Sequence, residues 1–412
     1  MALSAETANR RALHDWLARF HVIIGALMLL GLVMIYSATS VSRFTDKGEY
    51  HFVMHQSLWL LVGLAGWAVA SAVPFSFYRR IAIPLAAGCF VLLALVPFFG
   101  KKVGGATRWF HVAGHNVQPS ELAKCGIILF MALILSRSGG EGAAHSRKSV
   151  VGYWGIIFLT MGLLFLEPDL GTAALFGVVL YLMLMAGGVP VLATTLVSAV
   201  LAAAAAGIGL TLFEYPKRRL MEWLAGEGSH TNLSLTVIGS GGASGFGLGE
   251  GPAKLTSLPE SHTDFIFAIT GQELGLAGTW LLLALFAGLA AAGLSMAWHA
   301  RDPFARLAIF GFTALFGLQA AFNMGVVSGL LPPKGIQLPF VSYGGSGLCV
   351  NMAMAGIIGS AARAKAPDAE RTAGTAAPPW AGWRGGEGDP KRISNRRNSH
   401  TAPAMAFPPN IG

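Results

Sequence analysis

The feature that most constrains the fold of this chain is a series of long apolar stretches separated by short polar segments. A helix needs about 20 residues to cross the hydrocarbon core of a membrane, and stretches of this length recur between residues 20 and 362. Hydrophobic residues make up 54% of the 412 residues and charged residues only 12%, about half of the share that is usual in soluble proteins. The sequence therefore predicts an all-α polytopic membrane protein built as a bundle of transmembrane helices.

About ten of these stretches are predicted to be transmembrane helices. They lie near residues 20–40, 52–73, 80–98, 119–136, 150–166, 171–187, 189–212, 264–298, 304–330 and 338–362. Ten spans place both termini on one side, and the excess of Lys and Arg on that side predicts that it is cytoplasmic. We expect a cytoplasmic N-terminal segment (1–19), a transmembrane domain (20–362) and a disordered cytoplasmic tail (363–412). Cations that flank membrane spans also explain the net charge of +9 better than nucleic-acid binding does.

The longest predicted loop, residues 213–263, lies on the outer side, between the seventh and eighth spans. Long ordered loops of compact proteins often carry function. Residues 215–224 begin with basic residues and continue with apolar residues and Trp, which predicts a helix at the membrane interface. Residues 239–251 are rich in Gly, so their backbone can approach a ligand closely. They lack the Lys-Ser/Thr pair of a nucleotide-binding loop.

A polar stretch, Leu258-Pro-Glu-Ser-His-Thr-Asp-Phe-Ile-Phe267, places Asp264 where the outer loop enters the membrane. A carboxylate is costly at such a boundary, and ionisable residues there are functional candidates. Asp264 can be the N-cap of the following helix, a base toward a docked hydroxyl group, or both. Glu273 is nine positions later and therefore lies on the opposite side of the helix, where we expect it to contact a neighbouring helix.

Two further groups of polar residues lie at the predicted outer boundary. Glu121 and Lys124 are three positions apart at the start of the fourth span, so they can pair on one helix face. Arg108 and Trp109 supply a guanidinium group and an aromatic ring, which suit a phosphate and a sugar or anchor the chain at the interface. The many cations in the outer loops are consistent with an anionic ligand on that side.

Two later segments each contain a pair of closely spaced polar side chains, acidic in the first and amide in the second. Glu167 and Asp169 can hold a divalent cation such as Mg²⁺ or Mn²⁺, although no further ligands are evident, and Asp169 can instead cap the sixth helix. Gln319 and Asn323 are four positions apart in the ninth span and predict interhelical hydrogen bonds. The proline-rich hairpin that follows carries one charge, Lys334.

Five of these segments together resemble the motifs of the SEDS family (shape, elongation, division and sporulation) of polytopic cell-wall glycosyltransferases. They are Arg108-Trp109, Gln118-Pro-Ser-Glu-Leu-Ala-Lys124, Pro168-Asp-Leu-Gly-Thr172, Leu258-Pro-Glu-Ser-His-Thr-Asp-Phe-Ile-Phe267 and Pro339-Phe-Val-Ser-Tyr-Gly-Gly345, in family order. Asn323-Met-Gly and Leu331-Pro-Pro-Lys-Gly335 resemble the division-type branch more than the elongation-type branch. Departures such as Gln272 in place of Glu and Glu167 in place of Gln concern acceptor contacts and partner fit rather than the reaction class.

The resemblance implies polymerisation of lipid II, an undecaprenyl-pyrophosphate disaccharide-pentapeptide, at the outer face of the cytoplasmic membrane during septal wall synthesis. It implies an inverting transfer in which Asp264 is the base toward the acceptor hydroxyl and Glu121 orients Lys124. Cations should stabilise the leaving pyrophosphate. The expected partners are a class B penicillin-binding transpeptidase and other divisome proteins. The expected substrate-binding residues are Arg108, Trp109, Arg218, His262, Lys334 and Ser342.

Other functions fit parts of the pattern. A lipid II flippase should place charge near the membrane midplane and contain broken helices, whereas the polar motifs here lie at the outer boundary. An intramembrane serine protease built on Ser346 needs a histidine on a later helix, and the only later histidine is His400, in the predicted tail. A non-catalytic scaffold for a transpeptidase and an elongation-type polymerase stay open.

Overall fold

The computed structural model describes most of the chain. The described residues are 2–39, 50–103, 106–112, 114–138, 146–167, 169–212, 214–226, 229–252 and 262–364. The predicted tail from residue 365 onward lies outside these residues, as do residues 253–261 of the predicted outer loop.

The described part of the chain contains twelve helices. They are α1 (Ala2–Thr39), α2 (His51–Ala72), α3 (Phe75–Phe99), α4 (Pro119–Ser138), α5 (Arg147–Leu166), α6 (Leu170–Ala186), α7 (Val191–Leu212), α8 (Glu214–Leu224), α9 (Ser229–Ser240), α10 (Ile266–His299), α11 (Pro303–Val327) and α12 (Gly345–Ala362). Among the described residues, eight helices are long and apolar enough to cross a membrane. Two shorter apolar stretches, Leu170–Ala186 and Thr194–Ala204, coincide with the sixth and seventh predicted spans. The prediction of a polytopic α-helical bundle is confirmed.

Helices that are distant in sequence pack together in the bundle. α2 packs mainly against α12, and α1 against α10, while α11 contacts α4, α6, α10 and α12. Most of α11 is buried, whereas few residues of α2 are. Because consecutive spans alternate in direction, the described parts of the connections 100–118, 167–169, 213–265 and 328–344 lie at the same end of the bundle. We call it the site end.

Two helices begin far from their predicted positions, and one helix was not predicted. α1 begins at Ala2 rather than near residue 20, because its polar first turns are made of good helix formers such as Ala, Arg and Glu. α9 was not predicted. α12 begins at Gly345 rather than near residue 338, because prolines and glycines keep the preceding residues from forming a helix. Residues 328–344 are therefore a non-helical connection, which we call the hairpin.

A small antiparallel sheet lies between α3 and α4, in a connection for which no strand was predicted. Its strands are β1 (Lys101–Val103), β2 (Ala106–Val112) and β3 (His115–Val117), in the order β1-β2-β3. Trp109 pairs with Lys101 on one side of β2, and Phe110 pairs with Val117 on the other. Two of the strands have three residues, too few to show an alternating pattern. The sheet holds the Arg108-Trp109 pair at the site end.

Helix α10 is broken at Gly275, where φ is 62° and ψ is −156°. The glycine-rich segment 239–251 packs against this break. The N–H of Phe246 donates to the carbonyl of Gln272 at 3.1 Å, and the N–H of Leu276 donates to the carbonyl of Gly242 at 3.0 Å. The segment thus supplies partners for backbone groups that the break leaves without helical ones. Its glycines permit a close approach to α10 rather than the approach to a ligand that we expected.

Glu273 lies just before this break and is buried. Its Oε2 accepts a hydrogen bond from the hydroxyl of Ser37 in α1 and one from the N–H of Gly249, the latter at 3.3 Å. The prediction that Glu273 contacts a neighbouring helix is confirmed. The contact joins α1, α10 and the glycine-rich segment within the bundle.

Replacing Gly275 with alanine is expected to destabilise the protein by about 2–5 kcal/mol, from the disfavoured backbone conformation and from overpacking. A Cβ atom at this position would collide with the backbone of Gly245. Unfolding of the purified protein in detergent measures the change. Gly25→Ala in α1 is the matched control, because its Cβ atom would meet nothing within 4 Å. Equal stability of the two variants would contradict the interpretation of the break.

Candidate active site

Asp264 lies in a short turn, residues 262–265, directly before α10. Three consecutive main-chain carbonyls of this turn, at residues 262–264, each accept a hydrogen bond from a residue outside the turn. The donors, in order, are the N–H of Tyr343 (3.0 Å), the Oγ of Ser342 (2.6 Å) and the Nδ2 of Asn323 (2.8 Å). The backbone that carries Asp264 is therefore fixed to α11 and to the last residues of the hairpin.

The half-buried carboxylate of Asp264 faces the hairpin. A Cβ atom at Gly335 would lie 2.6 Å from its Oδ2 atom. The N-cap residue of α10 is Phe265, whose side chain makes no capping hydrogen bond. Of the roles left open for Asp264, the N-cap is therefore excluded, because the hydrogen bonds to the turn keep Asp264 out of the helix and its side chain faces the hairpin.

Lys124 and Glu121 form the predicted pair on α4, with 2.8 Å between the Nζ atom and a carboxylate oxygen. Lys124 is buried and also donates to Oε1 of Gln319 at 3.1 Å. Gln319 in turn donates to the main-chain carbonyl of Gln337 in the hairpin at 2.9 Å. A buried charge needs such partners to be tolerated. The network ties α4, through α11, to the hairpin that lies beside Asp264.

Arg108 extends from β2 to the turn between α5 and α6. Its Nε donates to the main-chain carbonyl of Glu167 at 3.3 Å, and its Nη1 lies 3.9 Å from Oδ1 of Asp169. Asp169 caps α6, since its side chain accepts a hydrogen bond from the N–H of Thr172 at 3.3 Å. The guanidinium group is thus held near the N-terminus of α6, at the site end.

Two more cations reach the same region from other elements. Lys334, in the hairpin, is close enough to Asp169, Arg108 and Arg219 to interact with them electrostatically. Arg219, in α8, donates from Nη1 to the main-chain carbonyl of Pro333 at 3.4 Å. We call Arg108, Arg219 and Lys334 the cation cluster. Their convergence gives this part of the site an affinity for anions.

Burial changes the protonation of two groups at the cluster. It lowers the pKa of Lys334 to about 8, and Arg108 and Arg219 act in the same direction while Asp169 opposes them. Burial, and then the charge of Asp169, raise the pKa of Glu167 to about 8 against the effect of Arg108. At neutral pH Lys334 is therefore mostly charged and Glu167 mostly protonated, which keeps the region positive.

Arg218, an expected substrate-binding residue, lies away from the cluster. It is exposed and pairs with Glu222 at 3.5 Å along α8. Arg219 points to the hairpin instead, because Trp223, one helical turn later, docks α8 there by donating Nε1 to the main-chain carbonyl of Gly329 at 2.9 Å. The position of Arg218 does not support a substrate contact, and Arg219 takes the place that was expected for it.

Ser342 was also expected to bind substrate, but its side chain is buried. Its hydroxyl donates to the carbonyl of Thr263 and accepts from the N–H of Leu338 at 2.8 Å. Gln56 of α2 holds the same segment, since its side chain donates to the carbonyl of Ser342 and accepts from the N–H of Gly344. Ser342 thus supports the backbone of the site rather than lining it.

His262 and Trp109 lie at the site end on different elements. The ring of His262 packs against Phe52 and Tyr343, with centroid distances of 4.7 and 5.4 Å. Trp109 is half-buried in β2. Neither position conflicts with a contact to substrate, and both roles stay predictions.

The proposed divalent cation does not fit the residues at the turn between α5 and α6. Within the described residues, no group of three or more His, Cys, Asp or Glu could hold a metal ion. The carboxyl group of Glu167 is mostly protonated at neutral pH, and Arg108 and Lys334 lie close to Asp169. Nearby cations and a neutral carboxyl group oppose the binding of Mg²⁺ or Mn²⁺.

Comparison with known proteins agrees with this architecture. The model of the FtsW/RodA/SpoVE family, described as cell cycle proteins, matches residues 18–366. The chain belongs to this family. The resemblance to SEDS proteins seen in the sequence motifs is therefore confirmed, and the matched range contains every candidate site residue named above.

Named relatives place the chain near the FtsW members of the family. A probable peptidoglycan glycosyltransferase FtsW of Geobacter metallireducens is 38% identical over 349 residues, which cover 81% of this chain and 91% of the relative. One from Mycobacterium tuberculosis is 38% identical over 371 residues, covering 84% of this chain and 69% of the relative.

Solved structures of the family share the fold. The crystal structure of the rod shape determining protein RodA of Thermus thermophilus superposes with a TM-score of 0.62 at 27% identity, covering 84% of this chain and 95% of RodA. A chain from a peptidoglycan synthase complex, studied for the coordination of polymerisation and crosslinking, gives a TM-score of 0.71 at 27% identity, covering 84% of this chain and 96% of that one.

Two residues of this FtsW/RodA-type site were missed by the sequence analysis. Arg219 was passed over for Arg218, although Arg219 shares a helix face with Trp223 at i, i+4, and that spacing is a usable signal. Gln337 contributes its main-chain carbonyl to the network of Gln319. No sequence pattern identifies a residue that acts through its backbone.

Proposed function

We propose that the protein is a peptidoglycan glycosyltransferase that polymerises lipid II into glycan strands. The observation that carries the proposal is the position of Asp264. A half-buried carboxylate, whose backbone is anchored at three consecutive carbonyls, lies against the hairpin residue that follows Lys334 of the cation cluster. A base that lies beside an anion-binding region suits a transfer that deprotonates a hydroxyl group and releases a pyrophosphate.

In the proposed reaction, Asp264 accepts the proton of the acceptor sugar hydroxyl. The hydroxyl oxygen forms a bond to the anomeric carbon of the donor as the bond from that carbon to the lipid pyrophosphate breaks. The leaving pyrophosphate takes the electron pair, and Arg108, Arg219 and Lys334 stabilise its growing charge. The α-linked donor gives a β-linked product by one displacement, so the configuration inverts and no covalent enzyme intermediate forms.

Lys124 and Glu121 act deeper in the same site. The ammonium group of Lys124 is held by Glu121 and Gln319, and it is our candidate for a second catalytic group that stabilises charge next to the reacting centre. Glu121 fixes the orientation of that ammonium group. His262 and Trp109 are proposed to contact the saccharide, since aromatic rings pack well on sugar faces.

The location and partners follow from the family and the proposed substrate. We propose that the site end faces the outer side of the cytoplasmic membrane, with the N- and C-termini in the cytoplasm. A class B penicillin-binding transpeptidase is the proposed partner, with other divisome proteins, and septal wall synthesis is the proposed process. The names of the FtsW relatives support the division-type assignment over the elongation-type one.

One observation favours a second candidate, a lipid II flippase. Helix α10 is broken at Gly275, and broken helices are typical of carriers. The glycine-rich segment packs against this break and forms backbone hydrogen bonds with it. The backbone groups at the break are therefore bound within the protein. Labelled lipid II in proteoliposomes separates the two functions: an enzyme yields glycan polymer, whereas a flippase moves the label between leaflets without forming any.

The apparent KM for lipid II is expected to rise between pH 7 and pH 9. Lys334 loses its positive charge as the pH rises through its pKa of about 8, and Glu167 gains a negative charge over the same range. Both changes weaken the attraction for pyrophosphate. Initial rates of polymerisation at several lipid II concentrations measure KM at each pH.

The Glu167→Gln variant tests this origin of the pH dependence. Glutamine has the shape of the protonated carboxyl group and cannot ionise, so the variant should match the wild type at pH 7 and show a smaller rise at pH 9. An identical rise in the variant and the wild type would show that Glu167 does not contribute.

A further inference from the structure

Asn323 lies in α11, one helical turn after Gln319, and connects two segments that meet at Asp264. Its Nδ2 donates to the main-chain carbonyl of Asp264 at 2.8 Å and to that of Ile336 at 2.7 Å. The first carbonyl belongs to the residue that carries the carboxylate. The second follows Gly335, the residue beside that carboxylate. The amide group of Asn323 thus connects the backbone of Asp264 to the backbone next to Gly335.

The orientation of this amide is fixed by its surroundings. The side chain of Asn323 is buried, and its Oδ1 has no hydrogen-bond partner among the described residues. Rotating the amide by 180° would place Oδ1 against two carbonyl oxygens, and all three atoms are acceptors. A buried acceptor without a partner is unfavourable, so the two donated hydrogen bonds must outweigh it.

Gln319, one turn earlier on α11, makes an equivalent connection. It accepts from Lys124 and donates to the carbonyl of Gln337, the residue after Ile336. Two amides at i, i+4 therefore hold two consecutive carbonyls of the hairpin, and each also holds a group of the catalytic site. Gln319 thus makes the expected interhelical hydrogen bond, to Lys124 of α4, whereas both hydrogen bonds of Asn323 go to non-helical segments beside the site.

We propose that Asn323 is a positioning residue for the reaction at Asp264. Its two hydrogen bonds set the distance between the Asp264 carboxylate and the Lys334-Gly335 segment. The inference rests on the proposed function, in which Asp264 is the base and Lys334 binds the pyrophosphate. A displacement of about 1 Å between reacting groups can cost about 10²-fold in rate, so loss of this spacing affects the chemical step more than substrate binding.

The test is the kinetics of lipid II polymerisation by Asn323→Leu and Asn323→Asp in the full-length protein with its transpeptidase partner. Leucine keeps the number and branching of the side-chain heavy atoms, although its methyl groups are larger, and it has no donor. Aspartate keeps the shape but places acceptors against both carbonyls, so it serves if the leucine variant does not fold. We expect kcat to fall by about 10- to 100-fold while KM for lipid II stays within about twofold, as for an interaction that acts in the transition state.

Asn351→Leu is the matched control. Asn351 is a buried asparagine in α12, and its Oδ1 also has no partner among the described residues. This variant should keep the wild-type kcat, and melting temperatures show whether the two leucine variants lose similar stability. If Asn351→Leu lowers kcat as much as Asn323→Leu does, the effect reflects general destabilisation and the proposal is overturned.

Asp264→Asn, measured in parallel, separates the positioning role of Asn323 from the catalytic role of Asp264 on which it rests. A wild-type kcat in both Asn323 variants, beside an inactive Asp264→Asn, would overturn the positioning role and leave the proposed function standing. A wild-type kcat in Asp264→Asn would overturn the role of Asp264 as the base, the observation that carries the proposed function. A reduced kcat in both Asn323→Leu and Asp264→Asn, with Asn351→Leu unaffected, supports the proposal.

Discussion

Replacing Asp264 with asparagine is expected to reduce the rate of lipid II polymerisation by about 10²- to 10⁴-fold, the usual contribution of a general base. Asparagine has nearly the same shape as aspartate but cannot accept the proton of the acceptor hydroxyl at neutral pH. The anchors of this turn bind main-chain carbonyls at residues 262–264, so they survive the substitution. Folding and partner binding should therefore be retained.

The measurement is the yield of glycan polymer from purified protein and lipid II, with the transpeptidase partner present. Asp15→Asn, an exposed residue of α1 near the opposite end of the bundle, is the control and should leave the rate unchanged. A wild-type rate in the Asp264 variant would show that Asp264 is not the base, and a failure of the wild type to form polymer would favour the scaffold interpretation, in which the protein organises a transpeptidase without catalysing transfer.

The sequence was sufficient for the architecture because membrane helices are specified by length and hydropathy, which are local properties. The sequence was not sufficient to predict contacts between segments that are distant along the chain. The break of α10 at Gly275 is stabilised by residues 242–246, about 30 positions earlier, and nothing near Gly275 reveals that contact. The sequence left the N-cap role of Asp264 open for the same reason, since the donors that hold its turn come from Asn323 and from residues 342–343.

The site could be predicted where its members share one helix. Glu121 and Lys124, three positions apart, form the ion pair that their spacing indicated. The consecutive basic residues of α8 were harder, because adjacent positions differ by 100° around a helix. Which of Arg218 and Arg219 faces the site depends on how Trp223 docks α8 on the hairpin. That docking is a tertiary contact, which the sequence of α8 alone does not reveal.

Replacing Gly335 with alanine is expected to lower kcat by about 10²-fold, as for a misplaced catalytic group, without lowering the melting temperature. No positive φ is found at Gly335, so alanine fits its backbone, but the added Cβ atom would lie 2.6 Å from Oδ2 of Asp264. The backbones on both sides are held, at Asp264 and Ile336 by Asn323. The side chain of Asp264 therefore rotates away, which displaces the base at little cost to the fold.

Gly317→Ala, in α11, is the matched control, because its Cβ atom would lie 3.8 Å from the Cβ atom of Ala290, an ordinary contact. Polymerisation kinetics and melting temperatures of both variants show whether Gly335→Ala lowers kcat without lowering stability. Loss of activity together with loss of stability in Gly335→Ala would indicate that the hairpin, rather than the carboxylate, gives way. An unchanged kcat would mean that the carboxylate need not lie against Gly335 during the reaction. Because the change adds one methyl group and leaves every polar atom in place, a selective loss of kcat would tie catalysis to the position of Asp264 rather than only to its charge.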